Sequence, residues 1–110
     1  METQQVVPPK LVSHLLAEDP GLRDIVLEFV NGLPTRIADF QKAHEQLDYD
    51  LLGTLAHRLK GAAGSYGYPD LSAVCFEMER QFRVHESGAF ADWVRQLESL
   101  AAAARAGLAQ

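Results

Sequence analysis

The sequence predicts an all-α protein, an antiparallel four-helix bundle preceded by one short extra helix. Three observations carry this. Apolar residues recur at helical spacing through most of the 110 residues, no segment shows the two-residue alternation of a half-buried strand, and the four long amphipathic stretches are joined by short connections. Such stretches hide their stripes only by packing on one another, most simply as antiparallel neighbours. With 47% apolar residues the chain suffices for one core, read as a single domain over residues 1–110 with a flexible lead at 1–9.

After the "VVPP" lead, Leu11, Leu15 and Leu16 predict a short first helix ending near "EDPG". Asp19 followed by Pro20 reads as an N-cap with proline at the first helical position. Leu22, Ile25, Val26, Phe29, Val30, Leu33, Ile37 and Phe40 then form one sustained stripe. Pro34 lacks an N–H and clashes with the carbonyl four residues back, so this long helix is expected to kink near Gly32.

"LDYD" marks the next junction. Leu51, Leu52, Leu55, Leu59 and Tyr66 define the face of a helix running to about Gly67, and "GYPD" turns the chain. Leu71, Val74, Cys75, Met78 and Phe82 make the following stripe, and "HESG" separates it from a last helix carrying Phe90, Trp93, Val94, Leu97, Leu100, Ala101 and Ala104. Alanine and leucine favour helix to the end of the sequence.

Composition excludes several classes. The net charge of −5 argues against nucleic-acid binding, which draws affinity from Lys and Arg neutralising phosphates. No uninterrupted apolar run is long enough to cross a membrane, and no secretory leader is evident. Cys75 is the only cysteine, read as a small buried hydrophobe in a cytoplasmic protein. "GAAGSYG" lacks the following Lys-Ser/Thr of a phosphate loop and lies in a helical pattern, which excludes that mode of ATP binding. His14, His44, His57 and His85 lack the i, i+4 spacing of paired metal ligands, so no metal site is expected.

Chemistry concentrates in "HRLKGAAGSYG", residues 57–67. On a helical wheel the leucines and Tyr66 occupy one arc, and His57 falls directly opposite. Gly53, Gly61 and Gly64 share the outer face, with Lys60 on one edge and Arg58 on the other. Each helical glycine costs about 0.8 to 1 kcal/mol relative to alanine. Helical side chains lean toward the N-terminus, so a side chain at 61 would lie over His57 and one at 53 would fill the surface beneath it. Glycine at both leaves the ring approachable. The same lean carries Lys60 toward the imidazole, where its ammonium can neutralise an anion on the ring. A neutral imidazole, a nearby cation and a cleared surface suit a phosphoryl acceptor. Close helix packing is the other use of helical glycines.

"AHRLKGAAGSYGYPDL" closely resembles the signature of histidine-containing phosphotransfer (HPt) domains, here His57, Leu59, Lys60, Gly61, Ala63 and Gly67. The resemblance implies a four-helix bundle that carries phosphate in two-component signalling without kinase chemistry of its own. His57 would accept a phosphoryl group through Nε2 from a receiver phospho-aspartate and yield it to another receiver aspartate. Lys60 would offset the phosphate charge, Gly61 would admit the receiver's loops, and Glu79 stands where relatives carry a Gln or Glu that orients the imidazole through Nδ1. Response-regulator receiver domains and hybrid sensor histidine kinases are the implied partners, with magnesium on the receiver, no cofactor on this chain, and a monomer acting without membrane or nucleic acid. The alternative is a receiver-docking adaptor with the same bundle and no phosphotransfer.

Overall fold

The computed structural model describes residues 9–109; most of the predicted lead lies outside the described residues. The helices are α1 (His14–Glu18), α2 (Arg23–Asn31), α3 (Leu33–Glu45), α4 (Tyr49–Ser65), α5 (Pro69–Arg83) and α6 (Phe90–Leu108), with a 3₁₀ turn at Pro20–Leu22 between α1 and α2. Among the described residues there is no strand, and no helix is long and apolar enough to cross a membrane. The protein is all-α. α3, α4, α5 and α6 pack in a closed ring, with α2 extending the α3 side against α6.

Local chemistry fixes most boundaries. Asp19 does cap, its Oδ1 accepting the Gly21 amide at 3.0 Å, but the turn it opens is 3₁₀, and α2 begins only at Arg23 without a side-chain cap. Asp48 Oδ1 accepts the Leu51 amide at 3.1 Å and starts α4. The expected single kinked helix is interrupted instead. Gly32, at φ −84° and ψ −8°, ends α2, and its amide reaches the carbonyls of Glu28 and Phe29, both at 3.1 Å. Pro34 then falls in the first turn of α3, where its missing N–H leaves no bond unmade.

The core runs through the middle of the bundle. Phe82 meets Trp93 edge-on at 5.4 Å between ring centroids and tilts against Phe40 at 6.4 Å. Cys75 is fully buried, and that burial pushes its thiol up to about 12. Tyr68, read from sequence as part of a turn, is also core and lies 6.1 Å from Phe29.

The core face of α4 is not the one its leucines predict. The buried stripe of α4 is Leu52, Ala56, Leu59 and Ala63, together with Gly53, whereas Leu51 is 40% exposed and Leu55 only half-buried. Alanines, not the outer leucines, take the core positions. This turns the core face of α4 by about 50° from the leucine arc, so His57 sits on a shoulder toward α5 and not directly opposite the core.

The segment before α1 is tied across the ends of α4 and α6. The Leu11 amide donates to Ala103 O at 2.9 Å, His14 N to Gly67 O at 2.8 Å, and Ser13 Oγ to Tyr66 O at 2.6 Å. Two glycines make room for it. Gly67, at φ +86°, ends α4, and a Cβ there would strike the backbone nitrogens of His14 and Leu15; at Gly107 a Cβ would strike the Leu11 carbonyl. Gly67→Ala combines a left-handed backbone with a backbone clash, so it is expected to destabilise by about 1 to 3 kcal/mol in urea unfolding. An unchanged midpoint would contradict this packing.

Candidate functional site

The site is assembled across the gap between α4 and α5. Small residues on α4, Gly53, Ala56, Ala63 and Gly64, face or border this gap and let α5 lie close. Along α5, Ser72, Phe76, Glu79 and Arg83 recur at i, i+4, i+7 and i+11, which is a single helical stripe beside α4. Ser72 Oγ donates to the Lys60 carbonyl at 3.0 Å and clasps the two helices.

Glu79 is the hub of the stripe. Its Oε2 lies 3.1 Å from His57 Nδ1 and 3.4 Å from an Arg83 guanidinium nitrogen, while its Oε1 takes the Lys60 ammonium at 2.8 Å. The hydrogen bond from Lys60, followed by that from Arg83, holds the Glu79 carboxyl below the usual carboxylate range against the opposing effect of desolvation. Glu79 is therefore an acceptor only, and Nδ1 must donate. With the proton of a neutral imidazole on Nδ1, the lone pair of Nε2 is free. The His57 side chain is 64% exposed, against 16% for Glu79, so a largely covered carboxylate supports an open ring.

The residues singled out from sequence divide into four groups. His57, Lys60 and Glu79 form one connected cluster, although Lys60 meets the imidazole through the carboxylate and not directly. Gly61 and Gly64 are exposed; a Cβ at 61 would meet nothing within 4 Å, and one at 64 would come no nearer than 3.7 Å to Ser72 Oγ. Arg58 is exposed on the opposite flank of α4, beside Arg36 and Asp39 of α3.

Gly53 departs from its expected place. It is buried, because the Arg83 guanidinium lies across it; a Cβ there would stand 2.8 Å from the Arg83 terminal nitrogen. Gly53 is thus not open ground beneath the ring but a seat for Arg83. A wheel of one helix cannot show a long side chain reaching over from the next.

Sequence reasoning missed Ser72, which clasps the two helices, and Arg83, which approaches Glu79. Their signal was the polar stripe flanking the Leu71, Cys75, Met78 and Phe82 core positions, with the small residues of α4 opposite. Among the described residues no three His, Cys, Asp or Glu side chains converge as metal ligands.

The lowered Glu79 pKa has a definite consequence for acid stability. A carboxyl with a folded-state pKa below its unfolded value contributes stability above the unfolded pKa, and that contribution is lost as pH falls through the folded value. Wild type is therefore expected to lose more stability than Glu79→Gln as the pH falls from about 5 to 3. Urea unfolding across that range checks this, and parallel curves for the two proteins would contradict it.

The family model for the Hpt domain matches residues 24–107, which takes in α2 to α6 but for their first and last residues, and with them every residue of the Glu79 cluster. Neither the curated proteins nor the solved structures give a match. Hpt domains are phosphocarriers in two-component phosphorelays and not catalysts, and a helical chain matched over most of its length, with an exposed histidine braced by a carboxylate, belongs to the Hpt domain family.

Proposed function

We propose that this chain is a cytoplasmic, monomeric phosphocarrier in which His57 takes a phosphoryl group from the phospho-aspartate of one receiver domain and delivers it to the aspartate of another. The observation that carries this reading is the Nδ1 contact with an ionised Glu79, which leaves Nε2 as the nucleophile on an exposed ring. The Nε2 lone pair forms a bond to phosphorus while the P–O bond to the aspartyl carboxylate breaks, and that carboxylate leaves with the electron pair. The ring gains positive charge as the N–P bond forms. Glu79, already accepting from Nδ1–H, offsets that charge without reorganising. Return transfer to a second receiver is the same step reversed.

Phosphoryl transfer asks the protein mainly to position the reactants and to stabilise charge. Lys60 is held within the cluster by Glu79 Oε1 and supplies the nearest ammonium for the incoming phosphate. Gly61 leaves the surface low where the receiver's loops approach, with Gly64 and Arg58 bordering it. Gly53 acts at one remove, by seating Arg83 against Glu79. Magnesium belongs to the receiver's acidic pocket.

Incubation with phosphorylated receiver domains tests the reading. Acid-labile label is expected on wild type and not on His57→Gln; binding of the receiver without label would instead favour a docking adaptor. Gly61→Ala is expected to stabilise the fold by about 1 kcal/mol, since nothing crowds the added methyl, while slowing transfer. Equal transfer rates for Gly61→Ala and wild type would remove the role given to that glycine.

A further inference from the structure

Across the helical ring from the α4–α5 gap that carries His57, α3 and α6 leave a groove of about 300 Å³ between them. Its floor is apolar, made by buried Val30 and Ile37 and half-buried Ala101. Its two walls are helical ridges. On α6, Glu98, Ala101, Ala102 and Arg105 recur at i, i+3, i+4 and i+7. Facing them, the stripe from Val30 through Pro34 and Ile37 to Gln41 keeps its phase past the break at Gly32. Ala101 and Ala102 stand where larger side chains would close the space.

The charges on the rim have an order. Glu98 and Arg105 are both exposed, and two turns of helix put them about 10 Å apart, too far to neutralise each other. Among the described residues neither forms an ion pair. The groove is therefore anionic at one end, cationic at the other and apolar between. Its polar side chains, Gln41, Glu98 and Arg105, are all exposed, so the floor offers a small polar ligand no side-chain group to orient it.

We propose that this groove receives an amphipathic helix of a partner protein, laid antiparallel to α6. A carboxylate of that helix meets Arg105, a cation two turns later meets Glu98, and aliphatic side chains between them cover Ala101 and Ala102. Two parallel ridges with small residues at the contact accept the ridge of a third helix, whose anchors then recur at i, i+3, i+4 and i+7. Charge sets the direction. An acid early and a base late is the order that a helix's own dipole favours, and matching it to Arg105 and Glu98 runs the partner against α6. Shape argues against a second copy of this chain as occupant. In a two-fold contact the patch meets itself, and two concave grooves face to face leave the space between them unfilled. Two chains of net charge −5 also repel. Lying across the bundle from the imidazole, a helix held here tethers the chain and leaves His57 uncovered.

The probe is an acetylated and amidated alanine-based peptide of about eighteen residues, long enough to be helical, with Glu, Leu, Leu and Lys at i, i+3, i+4 and i+7. A second peptide exchanges its Glu and Lys. Fluorescence anisotropy against the full chain is expected to give the first peptide a Kd about tenfold below that of the second, since the exchange turns two attractions into two repulsions. The double variant Glu98→Lys with Arg105→Glu is expected to reverse that preference. Ala102→Gln, which sends a longer side chain into the groove from an exposed position, is expected to weaken binding about tenfold while leaving thermal unfolding unchanged. Labelling of His57 by phosphoramidate, a small phosphodonor, is expected to proceed equally with and without bound peptide. Absence of saturable binding, equal affinity for the two peptides, or binding indifferent to Ala102→Gln would each overturn the proposal. Slower labelling with peptide bound would place the peptide on the His57 face and overturn it too. So would self-association of the chain that Ala102→Gln abolishes, because the occupant would then be a second copy.

Discussion

A single carboxylate spans the gap between two helices and organises the face around His57. Glu79 accepts from the imidazole on one oxygen, holds the Lys60 ammonium on the other and is approached by Arg83. None of these partners is near Glu79 in sequence except Arg83, so the arrangement exists only while α5 lies close along α4. That closeness depends on small side chains. Ala56 and Ala63 at the core, Gly53 under Arg83, and the Ser72 bond to the Lys60 carbonyl set the spacing and register at which the carboxylate meets the ring.

The same constraint explains why the glycines of this chain differ in their effects. Gly61 faces open space, whereas Gly53 lies under the Arg83 guanidinium. Gly67 and Gly107 lie far from the imidazole and admit the segment that closes the end of the bundle. Helix propensity alone treats these positions alike. What separates them is what a methyl group would meet, and that is a property of the neighbouring element.

The fold was largely legible in the sequence because apolar periodicity reports helices directly. The stripes of α2, α3, α5 and α6 fall where Val26, Phe40, Met78 and Leu97 are buried. The interruption at Gly32 was legible as a bend at Pro34, but not as a break, since both preserve the stripe. On α4 the leucine arc misled, because hydrophobicity weights Leu51 and Leu55 above Ala56 and Ala63 while packing against a close neighbour selects small residues. Of the site, His57, Lys60 and Gly61 lie within one helical signature and were visible together. The contact of Glu79 with the ring was anticipated only through a family resemblance. The seating of Arg83 on Gly53 crosses between helices, and no periodicity encodes it.

On the proposed phosphocarrier reading, Glu79 holds the imidazole with its proton on Nδ1 and so presents Nε2 to the partner. Nitrogen-15 NMR of the His57 ring, before and after phosphorylation, tests this most directly. At a pH where the ring is neutral, a protonated Nδ1 and a bare Nε2 are expected, and after phosphorylation a phosphorus coupling on Nε2. A resting ring with its proton on Nε2, or phosphorus bonded to Nδ1, would contradict it.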